Sequence, residues 1–245
     1  MFSFLKSRAK IDLSFIGVDM HSHLLPGLDD GLADIETTIE FVRELQEMGY
    51  KKLICTPHII SDIYPNSPAT ILPKLDLVRE ALLVNNIDVK IEAAAEYMVD
   101  PAMEKLVRSN GELLTFGGNY ILIEMSYAAV SPNLEDVIFA LRLKGLQPVI
   151  AHPERYSFYH FQFSNYERLI DLGCLLQINL LSLLGYYGKP IKAIAEKLLA
   201  KKMISLVGTD MHHLNHLNAL KELASRKEFY KLMETAVLKN QDLLT

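Results

Sequence analysis

The chain has 245 residues, half of them apolar, and a net charge of −5 with acidic and basic residues mixed along its length. That length and apolar content suit one large α/β domain, since single β/α barrels run to about 250 residues. The charge balance argues against a nucleic-acid binder, which carries a basic stripe.

The opening segment, MFSFLKSRAK, has basic residues but no apolar stretch with a cleavage site behind it, so it does not read as a secretory signal. Residues 1–14 are expected to form a flexible extension of a single domain spanning 1–245. The first strand-like run is FIGVDM (15–20); Ile35, Ile39, Val42 and Leu45 then recur at helical spacing over 34–48, and Gly49 follows as a stop. The second strand is KKLICT (51–56), followed by a helical pattern over 69–84 on Leu72, Leu75, Val78 and Leu82. VKIEAAA (89–95) is the third strand, after which Asp100-Pro101 reads as a helix N-cap and first helical residue. YILIEM (120–125) is the fourth. Ser131-Pro132 reads as another helix start, ahead of the stripe Leu134, Val137, Ile138 and Leu141 that Gly145 ends. QPVIAH (147–152), CLLQIN (174–179) and ISLVGT (204–209) complete the strands, with helices near 164–172 and 190–201 and a helical tail over 215–240.

Short apolar runs without alternation are strands buried on both faces, and a helix after each strand predicts a parallel sheet, either a closed barrel or an open doubly wound one. The first strand lacks a G-x-G-x-x-G turn, so a dinucleotide fold has no support. No apolar run approaches the roughly 18–20 residues of a membrane span, and the protein is expected to be cytoplasmic. Cys55 and Cys174 lie in apolar runs and read as buried thiols; six residues on from each, a Cys-x5-Arg loop would need Arg, but Ser61 and Leu180 stand there. A thiolate phosphatase mechanism therefore has no candidate.

The residues that can do chemistry fall at the C-terminal ends of these strands. They are Asp19, His21 and His23, then Asp29-Asp30; His58 after the second strand; Glu96 after the third; Glu124 in the fourth; His152, Glu154 and Arg155 after the fifth; and Asp210, His212 and His213 after the seventh. In a β/α barrel all of these points converge on one face. Positions i and i+2 of a strand face the same way, so His21 with His23, and Asp210 with His212, can each grip one ion. Glu124 interrupts an apolar strand, and a carboxylate there must be paired or ligate a metal to offset its desolvation. Imidazole and carboxylate without thiolate suit Zn²⁺, Mn²⁺ or Fe, and so many ligands suit two or three ions rather than one.

With these residues in hand, the sequence resembles the PHP superfamily (polymerase and histidinol phosphatase), and most of all the bacterial PHP tyrosine-protein phosphatases of capsular and extracellular polysaccharide systems. The segments that carry the resemblance are DMHSHLLPGLDDG, CTPH, AAAEYM, LIEMS, VIAHPERY, LGCLLQIN and GTDMHH, in the family's order over 19–213. The resemblance implies a distorted seven-stranded β/α (TIM-like) barrel with two or three metal ions, manganese foremost and zinc or iron as alternatives. It implies that His21, His23, Glu96 and Asp210 hold one ion, that Glu96 bridges to a second completed by Glu124 and His152, and that His58 and His212 hold a third. Asp29 or Asp30 would ligate the third ion or act as general acid, and Arg155 would bind the substrate phosphate. The implied reaction is hydrolysis of phosphotyrosine by metal-activated water. The implied substrate is a phosphotyrosine protein, by family logic the Tyr-rich tail of a bacterial membrane tyrosine kinase. One departure concerns a second phosphate-binding Arg after the DMH motif: here the stretch reads HHLNHLNAL and the next Arg is Arg226. His213 or His216 would substitute, or would serve the following helix as caps. The alternatives are a small-molecule phosphomonoesterase of histidinol-phosphatase type and a non-catalytic regulator that binds a phosphorylated partner.

Overall fold

A computed structural model describes residues 11–244. The expected N-terminal extension lies outside the described residues over 1–10, but 11–14 belong to the packed body. Leu13 is fully buried, and its N–H donates to Met48 O at 2.6 Å.

The chain alternates strands and helices, and every strand pairing is parallel. Among the described residues, nine strand segments stand where seven were expected. β1 (Val18–Ser22), β2 (Lys52–Cys55) and β4 (Lys90–Ala93) form one sheet in the order β1-β2-β4. The second sheet contains β3 (His58–Ile59), β5 (Glu96–Met98), β6 (Tyr120–Glu124), β7 (Gln147–Ala151), β8 (Leu175–Asn179) and β9 (Leu206–Gly208), in the order β3-β5-β6-β7-β8-β9. The extra segments lie just beyond the second and third expected strands (51–56 and 89–95), where the chain, after interruptions at Thr56-Pro57 and Ala94-Ala95, pairs again as β3 and β5. Proline has no N–H to give a ladder, and beyond Pro57 the strand loses β1 as a partner and pairs only with β5.

No regular ladder joins β1 to β9, the outer strands of the two sheets. Asp210 N donates to His21 O (2.8 Å) and His23 N to Met211 O (2.9 Å). Below these, the buried Asn240 side chain fills the gap: its Nδ2 donates to Val18 O and Val207 O, and its Oδ1 accepts from Val207 N. An amide with two donors and an acceptor completes what a ladder would otherwise supply.

One small apolar cluster contains Val18, Met20, Ile54, Leu122, Val149, Ala151 and Leu206, so it draws on both sheets; Phe116 and Leu243 pack with it. The larger core lies between the strands and the helices. Same-face positions then turn polar toward the C-terminal ends: Leu122 is followed by Glu124, and Leu175 by Gln177 and Asn179. The site rests on this apolar layer.

The helices depart from expectation at three places. The 69–84 pattern is the helix Pro68–Val84, but its buried stripe uses Ile71, while Leu72 is exposed. Ser131-Pro132 forms a turn, and the helix Leu134–Leu143 starts at the cap Asn133. The expected tail over 215–240 divides into Leu214–Ala224, Lys227–Met233 and a 3-10 turn at Asn240–Leu244. Asp100-Pro101 starts its helix as expected, with the Asp100 side chain accepting from Met103 N at 2.7 Å. No helix among the described residues is long and apolar enough to cross a membrane.

Candidate active site

Two ligand candidates sit on left-handed backbone: His152 at φ 34° and Asp210 at φ 50°, each just past a strand end. Such conformations cost about 1–3 kcal/mol and persist where the surroundings enforce them. Both turn a side chain that would otherwise continue the strand alternation. Two glycines make room for the histidines. A Cβ on Gly208 would stand 2.6 Å from His21 Cβ, and one on Gly31, in the LDDG turn, 2.2 Å from His23 O.

The side chains meet in three overlapping groups, within each of which the ligand atoms all lie within 4.8 Å of one another: His21, His23, Glu96 and Asp210; His58, Glu96 and Glu124; and His23, Asp30, His58 and His212. Glu96 links the first two. Its Oε2 lies 3.1 Å from His21 Nε2, 3.3 Å from His23 Nε2 and 3.3 Å from His58 Nδ1, while Oε1 lies 2.9 Å from His152 Nε2. His152 thus reaches the cluster through Glu96 and is outside the three groups.

The surroundings fix which ring nitrogens face inward. His21 Nδ1 donates to Gln177 Oε1 (2.9 Å), His23 Nδ1 to Asp29 Oδ2 (2.7 Å) and His212 Nδ1 to Asp210 O (2.8 Å), which leaves each Nε2 for the centre. Asp29 and Asp30 therefore separate. Asp29 is saturated: besides His23 it accepts from His58 N and Gly31 N. Asp30 has a half-exposed side chain with Oδ1 3.6 Å from His58 Nε2 and 3.5 Å from His212 Nε2.

The donor set fits cations. Burial alone would lower the His21 imidazole, but Glu96 and Asp210 outweigh it and bring it up to about 9. Burial opposes the charge on Glu96 and Asp210, yet the surrounding imidazoles hold both carboxyls well below the usual range. Glu124 goes the other way, pushed up to about 7 by burial and then by the Glu96 charge. His58 Nδ1 and Glu124 Oε1 are 2.9 Å apart, yet neither makes a hydrogen bond of acceptable geometry, and His152 Nδ1 is likewise buried without a partner. Buried polar atoms left without partners inside a ring of carboxylates and imidazoles are what a metal centre provides for.

A cavity of about 370 Å³ opens over the cluster. Its polar lining includes Asp30, His58, Glu124, His152, Arg155, Asp210 and His212, and its apolar and aromatic lining Ile60, Tyr64, Met98, Tyr127 and Tyr187. Tyr64, in the 61–66 segment, stacks on His58 at 5.7 Å. Arg155 Nη1 donates to Asp210 Oδ2 at 2.9 Å. His213 and His216 also line the cavity, 3.9 Å apart between ring centroids; His213 is the cap residue of Leu214–Ala224 but makes no side-chain cap bond. Arg226 pairs with Glu222 and lines a different surface pocket.

Gln177 and Asn179 were not identified from the sequence. Gln177 Nε2 donates to Asn179 Oδ1, and Asn179 Nδ2 to Asp210 Oδ2 (2.7 Å), so the pair connects His21 to Asp210. Their signal was present: CLLQIN is an apolar strand interrupted by polar residues at i and i+2, as Glu124 interrupts YILIEM. Glu154, fully buried, accepts from Asn179 N and Ser182 Oγ and anchors the start of the next helix.

Fold and site together define a class: an α/β protein of parallel strands with a candidate multi-ion metal centre at their C-terminal ends. The chain belongs to the capsular polysaccharide synthesis CpsB/CapC family, whose sequence model matches residues 17–240. It is 31% identical over 230 residues to the tyrosine-protein phosphatase YwqE of Bacillus subtilis (strain 168), covering 93% of this chain and 91% of that protein. It is 28% identical over 204 residues to the tyrosine-protein phosphatase CpsB of Streptococcus pneumoniae, covering 81% and 84%. A crystal structure from work on YwqE and CpsB, described as metal-dependent tyrosine phosphatases, superposes with a TM-score of 0.78 at 30% identity, over 93% of this chain and 94% of that one. The lactonase Lmo2620 of Listeria monocytogenes shares the fold alone, at 12% identity and a TM-score of 0.57 over 96% of this chain and 95% of that one.

Proposed function

We propose that this chain is a metal-dependent protein-tyrosine phosphatase of a bacterial polysaccharide-assembly system. The observation that carries the reading is the set of three overlapping ligand groups sharing His23, His58 and Glu96 under a cavity that also holds Arg155. The relatives named as tyrosine-protein phosphatases support the substrate. In this reading the nine strand segments compose a distorted seven-stranded β/α barrel.

His21, His23, Glu96 and Asp210 would hold one ion, Glu96, Glu124 and His152 a second, and His58 and His212 with Asp30 a third. Manganese is the ion proposed. Bound ions would supply Lewis acidity toward the phosphoryl oxygens and lower the pKa of water. Arg155 would fix the phosphate, since a guanidinium fork matches two of its oxygens. Asp29 would orient His23 and take no further part, because both of its oxygens are engaged. Asp30 is read as a ligand rather than a general acid: His212 first, against burial, holds its carboxyl below the usual range, whereas an acid for neutral pH needs a raised one. The Tyr-rich tail of a membrane tyrosine kinase is the proposed physiological substrate, and the cytoplasm the proposed site of action.

The test is an assay of the Mn²⁺-loaded protein on a Tyr-phosphorylated peptide, an aryl phosphate and histidinol phosphate. Turnover of the peptide and the aryl phosphate, abolished by chelation or by His21→Ala, is expected. Activity on neither would overturn the proposal; preference for histidinol phosphate would move it to the small-molecule class. Phosphopeptide binding without turnover would leave only a regulator.

A further inference from the structure

Arg155 has three partners in the cavity. Its guanidinium carbon lies 4.7 Å from the Tyr127 ring centroid and 4.4 Å from that of Tyr187. One edge is fixed by the 2.9 Å bond from Nη1 to Asp210 Oδ2, its only hydrogen bond from the guanidinium among the described residues. The two rings come from distant parts of the chain. Tyr127 lies in the loop after β6, and Tyr187 in the turn between the helices Leu180–Leu184 and Lys189–Ala200. All three side chains line the same cavity.

A free arginine side chain has several rotamers to give up when it grips a ligand. Contacts with two rings, and one edge tied to Asp210, remove most of that freedom beforehand. The N–H groups that remain lie in the guanidinium plane, and the cavity is where they find space. Cation–π attraction holds the guanidinium at such a contact, more strongly as water is excluded.

We propose that Tyr127, with Tyr187, is a positioning residue for the phosphate-binding edge of Arg155: the clamp presents the guanidinium as a preformed fork to a phosphate monoester or to inorganic phosphate. This rests on the phosphatase reading of the site. The ring of Tyr127, not its hydroxyl, does the positioning; that hydroxyl makes no hydrogen bond among the described residues. Tyr127 is also half-exposed on a loop, so its replacement does not threaten the core.

The experiment uses the Mn²⁺-loaded full chain and inorganic phosphate as the probe, both as a competitive inhibitor of aryl phosphate hydrolysis and in direct titration. Tyr127→Ala is expected to weaken phosphate binding about fivefold to tenfold, inside the roughly twofold to thirtyfold that a single lost cation–π contact allows. It should leave kcat and bound metal per chain near wild type. Tyr127→Phe should behave as wild type. In an Arg155→Ala background, Tyr127→Ala should add nothing. Each of these results would overturn the inference: Phe as damaging as Ala, loss of bound metal through the Tyr127 contact with His152, or a raised KM for the aryl substrate with unchanged phosphate affinity. The last would make the ring a direct substrate contact. A wild-type chain that binds no phosphate would sink the phosphatase reading and this inference together. Phosphate binding untouched by Tyr127→Ala would sink this inference alone.

Discussion

Glu96 and His152 meet through a single carboxylate oxygen, Oε1 at 2.9 Å from Nε2, which leaves the other oxygen to His21, His23 and His58. One side chain thereby touches two ligand groups. Glu96→Gln keeps its shape but replaces one oxygen with an amide nitrogen that cannot ligate. More than one ion is expected to leave, with turnover falling by at least about a hundredfold. Elemental analysis of the dialysed variant decides it: loss of a single ion with the rest in place would contradict a bridging role.

Asp29 and Asp30 are neighbours with different work. Removing an outer carboxylate that orients a ligating imidazole costs about 10–100-fold in metal affinity. Asp29→Ala should show at least that loss, since the side chain also holds His58 N and Gly31 N. Asp30→Asn should leave the folded stability unchanged, because its side chain is half-exposed, and should lower turnover with at most one ion lost. Equal metal loss in both variants would show that the two are not distinguished as their contacts imply.

The sequence made the strand ends legible because a buried strand announces itself by unbroken apolar character, and any His or carboxylate at its end is then conspicuous. Glu124 and His152 stood out on that ground alone. Asp29 could not be told from Asp30, because the choice depends on a turn that Gly31 lets approach His23. Gln177 and Asn179 are less conspicuous, because neutral amides carry no charge signal, although their i and i+2 spacing on the strand matches. The segments β3 and β5 were not legible, because His58 and Glu96 end the apolar runs there and the change of partner is a property of the neighbouring strand. Leu72 and Ile71 lie one residue apart, and helical spacing alone does not fix which of them starts the buried stripe.

Gly31→Ala tests that turn. Its Cβ would fall 2.2 Å from His23 O, against backbone rather than a flexible side chain. Overpacking of this kind costs about 1–3 kcal/mol or displaces the backbone. Chemical denaturation of the metal-free variant should show that loss, and metal binding should weaken with it as His23 moves. Unchanged stability together with full metal content would mean that the DDG turn yields freely.

Cys55 and Cys174 should be chemically silent. Burial pushes both thiols up to about 12, so at pH 8 the reactive thiolate is scarce as well as inaccessible. A thiol reagent should label neither in the native protein and both after denaturation. Cys55→Ser and Cys174→Ser should retain turnover, with any cost appearing only in stability. Rapid native labelling or loss of turnover in a well-folded serine variant would bring a thiol back into the mechanism.

Protons and metal ions should compete for this site, with opposite consequences for the two forms of the protein. In the metal-free chain, burial lowers His21, but Glu96 and Asp210 more than compensate and lift it from 6.5 to about 9. A raised folded-state value stabilises below 6.5, and that contribution is lost as pH rises through about 9. Glu124, lifted by burial and by Glu96 from 4.5 to about 7, has the same sign over its own lower window. His152 adds nothing above neutrality, because burial has already brought it down to about 4. The chelated protein should therefore melt at progressively lower temperature from about pH 6 to 8.5. Metal binding requires His21 and Glu124 to give up those protons, so apparent affinity for Mn²⁺ should rise over the same interval, and most steeply below about pH 7, where both groups still release. Melting curves in excess chelator and in excess Mn²⁺ should diverge as pH rises. Parallel curves would mean that these two groups do not release protons on metal binding, and with that the assignment of His21 and Glu124 as ligands would fall.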